Sequence, residues 1–169
     1  VTFYNRSAAD RLGYTVKELV GVSIHAAIHY AHADGSEYDE SLCPMRSAYT
    51  DGEIHQVENE VLWCKDGSSF PVEYSATPLR RDESIVGAVI VFRDLSERLA
   101  AEAELKKLIE FAPFAIAMNS LSDSAARIDH LNHRFIELFG WTREDIPDLA
   151  TWYAKAYPDI KLRQWVLAT

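Results

Sequence analysis

The stretch from Glu58 to Glu97, ENEVLWCKDGSSFPVEYSATPLRRDESIVGAVIVFRDLSE, holds three strand signals, two short turns and the opening of a helix. Val61, Leu62 and Trp63 lead into Lys65-Asp66-Gly67-Ser68. An Asp-Gly pair between apolar runs marks a hairpin, read here as a turn with positive φ at both positions. The next run alternates, with Phe70, Val72, Tyr74 and Ala76 on one face and Glu73, Ser75 and Thr77 on the other. Pro78 and the charged Arg80-Arg81-Asp82-Glu83 are expected to close it. The third run, Ile85 to Phe92, is nearly all apolar with Gly87 and Ala88 inside, which suits a central strand lying under other elements. Asp94 then stands three residues before Glu97, the spacing of a capping box at a helix start.

Working outward, the 169 residues suffice for one domain of ~100 residues and part of another. A net charge of −9 argues against binding nucleic acid through its phosphates and against docking on an anionic membrane. The longest apolar runs are about eight residues, far short of the ~20 of a membrane helix. Val1 is not a natural start, so the chain reads as a piece of a longer protein. Cys43 and Cys64 make no disulfide framework, and reduced thiols in a cytoplasmic setting are the expectation.

Residues 1–22, VTFYNRSAADRLGYTVKELVGV, open with a short strand signal at 1–4. Asn5 then starts a helix that Gly13 stops, and Thr15 with Glu18 marks the next helix cap. The pattern recurs at 128–149, IDHLNHRFIELFGWTREDIPDL. A shift of 127 positions places Asn5 on Asn132, Gly13 on Gly140, Thr15 on Thr142 and Glu18 on Asp145. A period this long means tandem copies of one domain, not a solenoid of ~20–50-residue repeats.

Together these segments resemble the PAS domain family. The W-x-K-D-G-S, P-V-E-Y and I-V-G-A-V-I-V-F-R-D-L-S-E-R segments are similar to its last three strands and exit motif. The two F/L-G-Y/W-T-x-x-E/D passages resemble its first half. The resemblance implies an α+β fold, a five-stranded antiparallel sheet with helices on one face, nearly complete once and partial once. Residues 1–94 would be a PAS domain lacking its first strand, 95–112 a linker or signalling helix, and 113–169 the N-terminal half of a second PAS domain. In that half, 114–119 and 128–131 are the expected strands. The half-domain's exposed apolar surface and unpaired sheet edges imply a homodimer or a domain-swapped oligomer. Along the linker, Leu95, Leu99, Leu105, Leu108 and Ile109 are apolar, yet Glu102 interrupts a heptad series.

His25, His29, His32 and Cys43 form the most chemical-looking group. His25 and His29 are four apart and share a helix face, a spacing that can hold a metal. Ala33-Asp34-Gly35-Ser36 breaks the helix and is read as separating them from Cys43. A structural role is the first reading; a metal or haem site and redox sensing through Cys43 are the alternatives. Cys64 reads as a buried or edge thiol. A flavin photoadduct would need a cysteine in a G-x-N-C-R-F-L-Q-like helix, which the chain lacks. The resemblance also implies that Asp94 meets a residue near the Lys65-Asp66-Gly67 hairpin, making Asp94, Ser96 and Lys65 the candidate transmission joint. Trp141, Trp152, Tyr153, Tyr157 and Trp165 read as core.

No G-x-S-x-G, P-loop, H-E-x-x-H or C-x-x-C signature occurs, so no enzyme is expected within the chain. The resemblance implies a sensory and dimerisation module passing a conformational change to an output domain. That output would be a histidine kinase of a two-component system or a diguanylate cyclase. The rival readings are a metal- or haem-binding redox sensor and a ligand-free structural dimerisation module.

Overall fold

The structure is a computed structural model and describes residues 1–122 and 125–168. The chain divides into two compact units, Val1–Ala100 and Ala101–Thr169.

The first unit opens with α1 (Arg6–Leu12), α2 (Val16–Leu19) and α3 (Ile24–Ile28), then a short 3-10 turn (Glu40–Leu42) and α4 (Pro44–Thr50). Local chemistry sets their ends. The Asn5 side chain accepts from the Ala8 N–H, and Gly13 closes α1 at φ 74°, a conformation that costs glycine little. Glu18 accepts from the Thr15 N–H and hydroxyl, each at 2.9 Å. Pro44 takes the first turn of α4, where its missing N–H is not needed. Residues 1–4 form no strand; instead Val1 exchanges hydrogen bonds with Gly21 and Val22.

A three-stranded antiparallel sheet follows, β1 (His55–Trp63), β2 (Ser69–Arg81) and β3 (Ser84–Asp94). The alternation read from the sequence holds: Phe70, Val72, Tyr74 and Ala76 are all buried. Phe70, Val72 and Tyr74 pack with Leu62 of β1 and with Leu12, Leu19, Ile28 and Met45 of the first unit.

Several expectations need correction here. The middle strand is β2, which pairs with both neighbours. The apolar run 85–92 lies on β3 at the sheet edge, with Val86 and Val91 exposed at 55% and 61%. Among the described residues β3 has a partner on one side only, so an apolar run proved no guide to sheet position. Pro78 does not end its strand. It pairs with Ala88, and the ladder runs on to Arg81 opposite Ser84, since one missing donor does not break a ladder this long. In the first hairpin only Gly67 has positive φ, at 82°. Gly67 donates to the Cys64 carbonyl and Cys64 to the Ser68 carbonyl, a three-residue loop with its last residue left-handed.

The sheet leads into α5 (Ser96–Glu110), which spans the division between the units and buries no residue. Leu99, Leu105 and Leu108 are exposed along it. The second unit contains β4 (Ala117–Ser122), β5 (Ala125–Leu131), α6 (His133–Phe139), α7 (Leu149–Ala156) and α8 (Ile160–Ala168). β4 starts and ends three residues later than expected, and β5 begins three residues earlier. The described residues therefore form separate sheets of three and two strands, and the five-stranded sheet expected nearly complete in one copy and partial in the other is not seen.

Ile128, Leu131, Phe135 and Ile146 form the second core, with Trp141 and Trp152 packed against it. Tyr153 and Tyr157 stack on each other with ring centroids 6.2 Å apart. Trp165 is not core: it lies exposed on α8, a helix that buries no residue.

Candidate functional site

A polar cluster sits inside the first unit, where an apolar core would be the default. His25 lies on α3 and His29 caps its C-terminal end, its N–H donating to the His25 carbonyl at 3.0 Å. The two rings meet edge to face, with centroids 6.0 Å apart. The chain then folds back on itself. His32 donates to the Ser36 carbonyl, Gly35 to that of His32, and Tyr38 to that of Tyr30. Trp63 pins this loop from the sheet by donating its indole N–H to the Ala31 carbonyl at 2.8 Å. The helix ends at Ile28, before the break expected at 33–36; those residues form a turn within the loop that returns the chain to the histidines. Cys43, fully buried at the head of α4, comes to rest with Sγ 3.2 Å from His29 Nδ1.

Glu60 completes the cluster and was not singled out from the sequence. β1 carries a bulge between Val57 and Glu60, with Asn59 left-handed at φ 63°. Two residues of β1 then face one of β2. The bulge leaves Val57 opposite Tyr74 and Glu60 opposite Val72, so both lie on the inward face. Glu60 Oε2 meets His29 Nε2 at 2.7 Å and accepts from the Tyr74 hydroxyl at 2.8 Å. Its Oε1 accepts from the Tyr38 hydroxyl at 3.0 Å. The available sequence signals were an acidic residue in phase with Leu62 and, beside it, an Asn, the non-glycine residue that best tolerates φ above zero.

The electrostatics follow from these contacts. Burial opposes a charge on His29, but hydrogen bonds to Cys43 and Glu60 prevail and raise its pKa to about 9. Burial would raise Glu60, yet its bonds from His29, Tyr74 and Tyr38 hold it below the usual carboxylate range. Burial and the Glu60 charge push Tyr38 up to about 12 and Tyr74 up as well. One atom stands out: His25 Nδ1 is buried with no hydrogen-bond partner among the described residues. His25, His29 and Cys43 each present a ligand atom within 4.8 Å of the others. His32 stays outside this trio and stacks on Tyr38, centroids 4.2 Å apart. A cleft of about 420 Å³ lies alongside, lined by His29, His32, Asp34, Tyr38, Asn59 and Glu60 among others.

The second assembly is the root of α5. Asp94 accepts from the Ser96 N–H at 2.7 Å and pairs with Arg11 of α1. Those bonds hold its carboxyl below the ordinary range against the opposing effect of burial. Leu95 donates to the Pro71 carbonyl at 3.0 Å. Arg11 also lies over the Phe70 ring, 3.7 Å from its centroid. Asp94 and Ser96 of the candidate joint are bonded to each other, and Arg11 stands where Lys65 was expected as the partner of Asp94. Lys65 pairs instead with Glu18 of α2, and its backbone N–H donates to the Leu12 carbonyl at the end of α1. The expected capping box is replaced by an aspartate bonded two residues ahead. Cys64 is buried, as read, and its Sγ approaches the Arg11 carbonyl.

Comparison with known proteins agrees with this architecture. A family model described as PAS domain matches residues 1–97, and a second PAS domain model matches residues 103–167. The chain is 32% identical over 98 residues to the probable diguanylate cyclase DgcE of Escherichia coli (strain K12). That match covers 57% of this chain and 8% of the relative.

Proposed function

The chain belongs to the PAS domain family, and from that premise we propose that it is the sensory part of a signalling protein whose output domain lies elsewhere in the sequence. The observation that carries this reading is the root of α5. Asp94 holds the first turn of the exit helix and a guanidinium that rests on the core ring Phe70. A change in the packing of the sheet against α1 would therefore reach α5 through one carboxylate. Asp94 and Ser96 keep the transmission role, Arg11 joins them, and Lys65 serves to fasten α2. The mechanism is a population shift: an occupant of the cluster or cleft favours one sheet geometry, and α5 carries the difference out.

The likeness to a probable diguanylate cyclase supports a diguanylate cyclase output over a histidine kinase. The exposed leucines of α5 support pairing of two copies through residues 95–112. No helix of the described residues is long and apolar enough to cross a membrane, which fits a cytoplasmic setting.

The test is Asp94→Asn and Arg11→Met in the full-length protein, read as conversion of GTP to cyclic diguanylate. Each is expected to shift output severalfold while costing only about 1 kcal/mol of stability, the scale of a partly exposed pair and a cap. Output equal to the parent's in both variants would sink the proposal.

A further inference from the structure

Three buried residues of the first unit bring potential donor atoms within 4.8 Å of one another. We propose that His25, His29 and Cys43 bind one Zn²⁺ ion. The donor set, two imidazoles and a thiolate, is the borderline-soft kind that selects zinc over magnesium or calcium. The spacing is near what is needed. Tetrahedral zinc with bonds of ~2.0–2.3 Å sets neighbouring donors ~3.5 Å apart. His29 Nδ1 and Cys43 Sγ stand at 3.2 Å, and the three donor atoms lie within 4.8 Å of one another. Closing onto an ion asks for movements of only about 1 Å.

Two further observations point the same way. His25 Nδ1 is buried without a partner, although a folded chain pairs nearly all such atoms. A packed His29–Cys43 pair alone would leave that nitrogen unexplained. The far nitrogen of His29 is held by Glu60 at 2.7 Å. A carboxylate on the remote N–H of a ligating histidine fixes its ring and tautomer and strengthens it as a donor. Glu60 is in turn steadied by Tyr38 and Tyr74, so the supporting shell is complete. On binding, the proton shared by Cys43 Sγ and His29 Nδ1 leaves to solvent, one Zn–S and two Zn–N bonds form, and no electron moves. Three protein ligands leave a fourth position for water or a small exogenous donor. The site rests on these residues whatever the chain signals.

The test uses the 169-residue chain with Zn²⁺ in chelator competition and Co²⁺ as its spectroscopic substitute. One ion per chain is expected, with a thiolate-to-cobalt charge-transfer band and tetrahedral d–d bands. Cys43→Ser and His25→Ala should abolish that band, and Cys64→Ser should keep it. Glu60→Gln should keep the band and weaken zinc roughly 10–100-fold. Circular dichroism checks that each variant folds, and the parent spectrum decides the matter if one does not. A parent without the thiolate band overturns the proposal, as does a band that survives in His25→Ala or disappears in Cys64→Ser.

Discussion

The two copies of the repeated segment share their local geometry and differ in how deeply it is built in. Asn5 and Asn132 both cap a seven-residue helix, and Gly13 and Gly140 close those helices at φ 74° and 72°. Thr15 with Glu18 and Thr142 with Asp145 make the same pair of 2.9 Å bonds. The surroundings diverge. Asn5 is exposed, and its side chain makes the one bond of a cap. Asn132 is fully buried and uses all four of its hydrogen-bonding positions. Its oxygen accepts from the Ile116 and Phe135 N–H groups, and its nitrogen donates to the carbonyls of Ile109 and Phe114. At the repeat spacing of 127, residues matching Ile109, Phe114 and Ile116 would fall before Val1. Among the described residues the motif caps a helix in the first unit, and in the second it also ties the end of α5 and the 114–116 segment to the start of α6.

Substitution should separate the two roles. Asn132→Ala removes the side-chain partner of four backbone groups, one buried and three partly buried, and is expected to cost about 3 kcal/mol, against about 1 kcal/mol for Asn5→Ala. Chemical unfolding followed by the fluorescence of Trp141 and Trp152 for the second unit, and of Trp63 for the first, reads each effect where it falls. Equal costs would erase the distinction.

The glycines should behave alike. Gly13→Ala and Gly140→Ala each force a β-carbon into left-handed backbone at about 1–2 kcal/mol. A Cβ would find open space at Gly140 and only an ordinary 3.8 Å contact with Lys65 at Gly13. A clear difference between them would show that one helix end is held by more than its backbone.

The finest contrast is acid titration. The hydrogen bond from Lys65, with those from Thr15, lowers the Glu18 pKa to about 2 from an ordinary 4.5. Because the folded value lies below the unfolded one, this contribution is present above pH 4.5 and is lost as pH falls toward 2. Asp145 is lowered mainly by Thr142, with Lys155 a lesser influence. Lys65→Met should therefore move the carboxyl titration of Glu18 upward by NMR, while Lys155→Met should leave Asp145 lowered. An unmoved Glu18 would mean that Thr15 alone sets its charge.

What could be read from the chain was whatever a few neighbouring residues decide. Asn before a helical run, Gly after it, and Phe70-Val72-Tyr74-Ala76 at period two each carry their geometry within a turn or a pleat, so the ends of α1 and α6, the buried face of β2 and the repeat were legible. The functional contacts were of another kind. Arg11 meets Asp94 across 83 positions, Glu60 meets His29 across 31, and Cys43 meets His29 across 14. No periodic signal spans those separations. They depend on where the 30–38 loop turns back, on the phase of β1 at Asn59, and on which strand takes the middle of the sheet. Packing and hydrogen bonding across the whole unit settle these together, which is why the residues of the site were visible in the sequence while their partners came only with the fold.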